Sequence, residues 1–292
     1  MKLVTFETDG RQGLGLVDDD GGVRDIGGVD GIPGDMSGLI AAGPAALERV
    51  AAAVAEGHLR EVAEPRLLAP IPDPVRDILC VGKNYFDHAH EFHGSGFDSG
   101  AAGAVPDHPI VFTKATTSVV GPGDAIPASD DPTGSVDYEG EFAVVIGTGG
   151  RHIAKANAYD HVFGYTIVND VTSRELQKRH AQWVIGKGID GFCPMGPWLV
   201  TADETGDPGP LRLRTEVNGE TRQDAPIGDL IFDIPTLIET LSRFITLIPG
   251  DIIATGTPTG VGIGFEPPRY LQPGDVVSIT VNRLGTLTNP VA

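Results

Sequence analysis

The chain has almost no cysteine: Cys80 and Cys193 are the only two among 292 residues. That excludes a disulfide framework and any cysteine-rich zinc site, and it fits a reducing compartment. Positive charge is also scarce. Lys and Arg number 21 against 40 Asp and Glu, for a net charge of −19. A nucleic-acid partner needs a basic surface to displace counterions, so none is expected. An anionic membrane surface is equally unattractive to such a chain. No apolar run reaches membrane-spanning length. The first ten residues, MKLVTFETDG, carry charge where a signal peptide has an apolar core. These absences lead to the expectation of a cytoplasmic protein whose acidity serves solubility. Nucleotide signatures are missing too. TGTPTGVG (255–262) lacks the lysine of a phosphate-binding loop, and no G-x-G-x-x-G opens a helix.

What is present is glycine and proline, 40 and 23 residues, with 40% hydrophobic content. That composition suits a sizeable core built from many short strands and tight turns, a β-rich α+β chain. Short apolar stretches alternate with Gly and Asp over residues 1–35, as in small antiparallel strands. Residues 44–56 have high helix propensity and end at Gly57. Prolines at 65, 70, 72 and 74 then mark a linker. A domain boundary is expected near residue 70, separating a small N-terminal domain (1–70) from a larger one (71–292). In the larger part, 78–82, 110–114 and 142–147 read as strands and 84–92 as a short helix. Residues 93–109, rich in Gly and Ala, read as a long binding loop or lid. Thr172 and Glu175 have the spacing of a capping box. Pro235 suits the first turn of a helix running to about Leu247.

The chemistry concentrates in a few segments. In DYEGEFAVVIG (137–147), acids alternate directly before an apolar run. On a strand, Glu139 and Glu141 share a face, about 7 Å apart at the backbone. Two carboxylates held together repel unless a cation lies between them, and oxygen ligands suit magnesium, calcium or manganese. A solvated strand face has the same pattern. In GYTIVNDVTSRELQ (164–177), Asp170 ends an apolar strand, and Arg174 and Gln177 share a helix face from which they could orient a substrate carboxylate. In VGKNYFDHAHEF (81–92), His88 and Glu91 stand at i and i+3, the arrangement of a carboxylate-oriented general base. A zinc reading from His88, His90 and His93 suffers from a spacing that does not share one helical face. Lys114 follows an apolar strand. Lys187 lies between glycines in WVIGKGIDGFCPMGP, where it can offer charge to an oxyanion.

Taken in order, VGKNYFDHAHE, FTKATTSVVGPGD, DYEGEFAVVIG, GYTIVNDVTSRELQ, GKGIDGFCPMGPW and PGDIIATGTPTGVG resemble the catalytic domain of the fumarylacetoacetate hydrolase family over residues 78–282. The resemblance implies a mixed β-sandwich roll with a small N-terminal β-rich domain, assembled as a homodimer. It implies that Glu139, Glu141 and Asp170 ligate magnesium or manganese, sometimes calcium. It makes His88 and Glu91 the catalytic dyad, with Lys187 beside the reacting oxyanion. Arg174, Gln177 and Thr257 become substrate contacts. The implied substrate is a small 2-oxo acid, and the implied reaction is metal-dependent carbon–carbon cleavage: acylpyruvate hydrolysis or decarboxylation of a β-keto acid such as oxaloacetate. Isomerisation or hydration of a 2-oxo-alkenoate, or action on ureidoglycolate or a 2-oxo-3-deoxy sugar acid, stands as the alternative. A non-catalytic metal-binding protein on the same fold is disfavoured by intact ligands and dyad. Segment 92–109 departs from the family in length, and Trp183 receives no role.

Overall fold

The apolar run after Glu141 becomes the central strand, Gly140–Ile146, buried throughout its length. Strand side chains alternate between faces, and here both faces meet apolar layers. Phe142, Val144 and Ile146 join one core cluster, while Ala143 and Val145 join another. The computed structural model describes residues 1–97 and 103–292. In it a large mixed sheet runs in the order Arg60–Glu61, Val23–Asp25, Arg11–Val17, Lys2–Thr8, Cys193–Thr201, Val162–Asn169, Gly140–Ile146, Ile252–Ala254, Ile78–Gly82, Ile110–Lys114. One face packs on a four-stranded sheet and on the helix Ile234–Phe244, through residues such as Leu213, Ile279 and Leu241. The other face is covered by Met36, Leu39, Ile40 and Val50 from the helices Met36–Ala42 and Pro44–Ala55. The fold is thus the β-rich α+β arrangement expected. Residues before 70 extend the large sheet, because Leu3 pairs with Leu199 and Lys2 with Val200.

Local signals account for several element ends. Pro44 and Pro235 sit in first turns, where a missing N–H costs nothing. The Asp233 carboxylate accepts the Thr236 N–H at 2.9 Å and caps its helix. That helix stops at Phe244 rather than Leu247, because Ile245 is extended and Leu247 bridges to Gly150. The short helix expected at 84–92 runs from Phe86 to Gly94. The capping box at Thr172 and Glu175 does not form. Thr172 and Ser173 pair as strand with Val136–Asp137, and the helix begins at Arg174. The Glu175 N–H is instead taken by the Ser135 hydroxyl at 3.0 Å, a tertiary cap replacing the local one. The lid expected at 93–109 falls partly on residues outside those described. Among the described residues, no single helix is long and apolar enough to cross a membrane.

Candidate active site

Strand register builds an acidic trio. Gly140 pairs with Asn169 across the antiparallel pair, so Glu139 faces Asp170, whose N–H donates to the Glu139 carbonyl at 2.8 Å. Glu141 follows two residues on, on the same face. One ligand oxygen from each of Glu139, Glu141 and Asp170 lies within 4.8 Å of the others, and all three residues are buried. Cations answer the repulsion. Lys187 Nζ donates to Glu139 Oε2 at 2.9 Å and to Asp170 Oδ2 at 2.6 Å. Arg174 reaches Glu139 Oε1 at 2.6 Å and, through Nε, Asp137 Oδ2 at 2.9 Å. Lys114 Nζ donates to the carbonyls of Val171 and Lys187. It stands 2.8 Å from Asp170 Oδ1 without hydrogen-bonding geometry, so that oxygen is buried with no donor.

Burial and charge divide the trio electrostatically. Burial works to raise the Glu139 carboxyl, yet Lys187 and Arg174 outweigh it and hold the group down at about 2. Glu141 is pushed well above the usual carboxylate range by burial, then by Asp170 and Glu139. Burial opposes the charge on Lys187, but Asp170 and Glu139 raise its pKa overall. A hard divalent cation fits these residues: the donors are all carboxylate oxygens, and Asp170 Oδ1 is an orphaned lone-pair site among them. The zinc alternative is not realised. His88 is buried while His90 and His93 are exposed, and the trio is the group with metal-ligand spacing among the described residues. The two thiols are no nucleophiles, since burial pushes Cys193 up to about 12 and Cys80 well above its usual value.

His88 and Glu91 meet as expected on the helix Phe86–Gly94, with Nδ1 and Oε2 3.0 Å apart. Nδ1–H donating to Glu91 leaves Nε2 as the basic nitrogen. The Gly/Thr turn then ties the parts together. The Gly256 N–H holds Glu141 at 2.8 Å, the Gly260 N–H holds Glu91 at 2.9 Å, and the N–H groups of Gly262 and Ile263 hold Asp137 at 2.7 and 3.0 Å. Gly260 has φ 103°, and a Cβ there would lie 1.9 Å from the Arg222 carbonyl, so glycine is required. Thr257 braces this turn: its hydroxyl donates to the Gly140 carbonyl at 2.9 Å and accepts from Gln223 at 2.7 Å. A narrow pocket is lined by Glu139, Glu141, His88, Lys187, Arg174, Gln177 and Thr257, together with Lys83, Gly82, Phe92, Phe112 and Trp183. Trp183 packs edge-on against Phe112 and Phe92, with centroids 5.1 and 6.2 Å away. Sequence reasoning missed Lys83 and this aromatic wall. It also gave Asp137 no task, although its alternation with Glu139 and Glu141 was visible.

The chain belongs to the fumarylacetoacetate hydrolase family: the profile described as "Fumarylacetoacetate (FAA) hydrolase C-terminal" matches residues 77–292. It is 46% identical, over all of both chains, to the Bacillus subtilis (strain 168) protein named "Oxaloacetate tautomerase YisK". A solved fumarylacetoacetate hydrolase from Exiguobacterium antarcticum superposes with a TM-score of 0.85 at 42% identity, covering 100% of this chain and 99% of that one. A maleylpyruvate hydrolase from Sphingobium sp. SYK-6, solved with manganese(II) ion and pyruvate, superposes with a TM-score of 0.80 at 33% identity, with the same coverage.

Proposed function

We propose that this protein is a divalent-metal-dependent enzyme of small 2-oxo acids, and that its reaction is the keto–enol interconversion of a 2-oxo dicarboxylate such as oxaloacetate. The observation that carries this reading is the buried trio of Glu139, Glu141 and Asp170, two of whose members, Glu139 and Glu141, line the same pocket as His88 of a formed His88–Glu91 pair. The full-length similarity to an oxaloacetate tautomerase supports it. Glu139, Glu141 and Asp170 would hold magnesium or manganese. When bound, such an ion polarises a keto acid as a Lewis acid.

The chain's own residues supply the rest. His88 Nε2, oriented by Glu91, takes a proton from C3 of the substrate. The C–H electron pair moves into the carbon framework, and the C2 oxygen gains the charge. Lys187, at the trio, offers its ammonium to that oxygen. Delivery of one proton to the oxygen completes the enol, so no atom is gained or lost. Arg174 and Gln177 face the substrate carboxylate from the helix Arg174–His180.

Carbon–carbon cleavage is a second reading, favoured by the formed dyad and by similarity to a maleylpyruvate hydrolase. There His88 deprotonates a water that attacks the distal carbonyl of an acylpyruvate. The C3–C4 bond breaks toward C3, which is then protonated to give pyruvate. Decarboxylation of oxaloacetate breaks the same bond with release of carbon dioxide.

Both readings need the trio. Glu139→Gln is expected to weaken Mn²⁺ binding by about 10- to 100-fold or more, since losing even an outer-shell partner typically costs that much. Turnover should fall with it, and a variant with full metal content and full activity would refute the assignment. A panel of oxaloacetate and acylpyruvates, followed by enol absorbance, pyruvate release and carbon dioxide release, separates the reactions.

A further inference from the structure

The aromatic side of the pocket takes no part in the proton transfer. Phe92, Phe112 and Trp183 line it beside His88 and Lys187, and Trp183 stands between the other two. Its ring meets Phe112 edge-on at 5.1 Å between centroids, and Phe92 at 6.2 Å. The outer rings lie against the reacting groups. Phe92 is 6.2 Å from the His88 imidazole, centroid to centroid, and the Lys187 ammonium stands 4.9 Å from the centre of the Phe112 ring. The wall therefore runs from the base to the ammonium, with the indole in its middle.

That indole has little freedom to move. A Cβ on Gly82 would lie 2.7 Å from Trp183 Cζ3 and 3.1 Å from Cη2. Gly82 is not among the left-handed glycines, so the ring and not the backbone excludes a side chain there. On its own chain, the Trp183 carbonyl accepts the N–H groups of Gly186 at 2.9 Å and Lys187 at 3.0 Å, opening the single turn Val184–Lys187. Trp183 and Lys187 stand at i and i+4 and share one face of it. The turn is pressed on its neighbour: a Cβ on Gly186 would come 2.5 Å from the Gln177 nitrogen and 2.8 Å from the Ser173 carbonyl oxygen. We propose that Trp183 limits the length of the substrate, making the site selective for four-carbon 2-oxo acids over those with longer tails. This rests on the 2-oxo acid reading above, in which the C2 oxygen faces Lys187 and C3 faces His88. The atoms beyond C3 then run onto the aromatic wall, and a ring clamped on three sides cannot yield to added methylenes without strain. In a shaped apolar pocket one methylene more or less typically changes preference by about 10- to 200-fold.

The test measures binding to the Mn²⁺-loaded protein by calorimetry, which needs no turnover. N-methyloxamate and N-butyloxamate chelate an ion through the carboxylate and the amide oxygen, as a 2-oxo acid does, and differ only in tail length. Wild type is expected to bind the methyl compound about tenfold or more tighter. In Trp183→Ala that preference should fall about tenfold, as the butyl chain enters the space the indole vacates, with N-methyloxamate affinity little changed. Trp183→Phe, with a smaller ring in the same clamp, should fall between, and it keeps the comparison open should Trp183→Ala fold poorly. A wild type that binds both compounds alike, a preference unchanged in both variants, or a butyl compound that binds more weakly without the indole would overturn the proposal alone. A wild type that binds no Mn²⁺, or binds Mn²⁺ but neither oxamate, would overturn it together with the reading beneath it.

Discussion

Asp137 shows how single side chains set up this site. It is fully buried and accepts bonds from the N–H groups of Tyr138, Gly262 and Ile263 and from Arg174 Nε. Burial raises its pKa, with Arg174 the main opposing influence. Asp137→Ala would leave a buried arginine short of its partner, which typically costs about 3–5 kcal/mol. Urea unfolding should show a destabilisation of that order, and a loss below about 1 kcal/mol would mean that Arg174 finds another partner. Glu141 makes a different prediction. Its raised pKa means that the metal-free folded protein keeps a proton that the unfolded chain releases near pH 4.3, the ordinary glutamate value of about 4.3. The folded state then binds more protons than the unfolded one, so this group's contribution to metal-free stability declines as pH rises from there through the folded value. A divalent ion displaces the same proton, and its apparent affinity should rise over the same window. Calorimetric titration with Mn²⁺ at stepped pH checks this; an affinity that falls as pH rises would contradict it.

At the scale of elements, the short turn at 262–264 decides where the dyad stands. A Cβ on Gly264 would lie 2.1 Å from Glu91 Oε1, the far end of a flexible side chain. Gly264→Ala should therefore displace the Glu91 carboxylate rather than unfold the chain. Turnover is expected to fall about 100-fold, the lower end of what general acid–base catalysis contributes, with little change in melting temperature. Equal losses in stability and activity would instead mark a packing defect. The strands were legible in the sequence because short apolar runs ending at glycine survive any tertiary context, as at 78–82 and at 142–147, where the observed strand is Gly140–Ile146. The i, i+3 spacing of His88 and Glu91 was legible for the same reason: helix geometry alone brings them together. The cap at Thr172 was misread because its competitor, Ser135, arrives from a loop distant in sequence. Lys83 was invisible because a left-handed lysine leaves no pattern in its neighbours. Its chain neighbours Gly82 and Asn84 meet Trp183, Thr255 and Phe232, which only the fold places there.

For the whole molecule, the first strands complete the large sheet and are more than an appendage. Lys2–Thr8 covers the edge of Cys193–Thr201, and Leu3 and Leu16 share a core cluster with Met195 and Leu199. A variant lacking residues 1–70 would expose that edge and that apolar face, and it is expected to aggregate. Size-exclusion chromatography decides it, since a soluble, folded, metal-binding 71–292 fragment would show that the sheet tolerates the loss. The turn at 256–263 has its own consequence at this scale. One stretch of backbone grips an acid of the ion site and the acid that aims the histidine, so the two are mechanically geared. Stripping the ion with a chelator should be felt at the imidazole as well as at the empty socket, and hydrogen exchange of the Gly256 and Gly260 amides would register both ends of that lever loosening together.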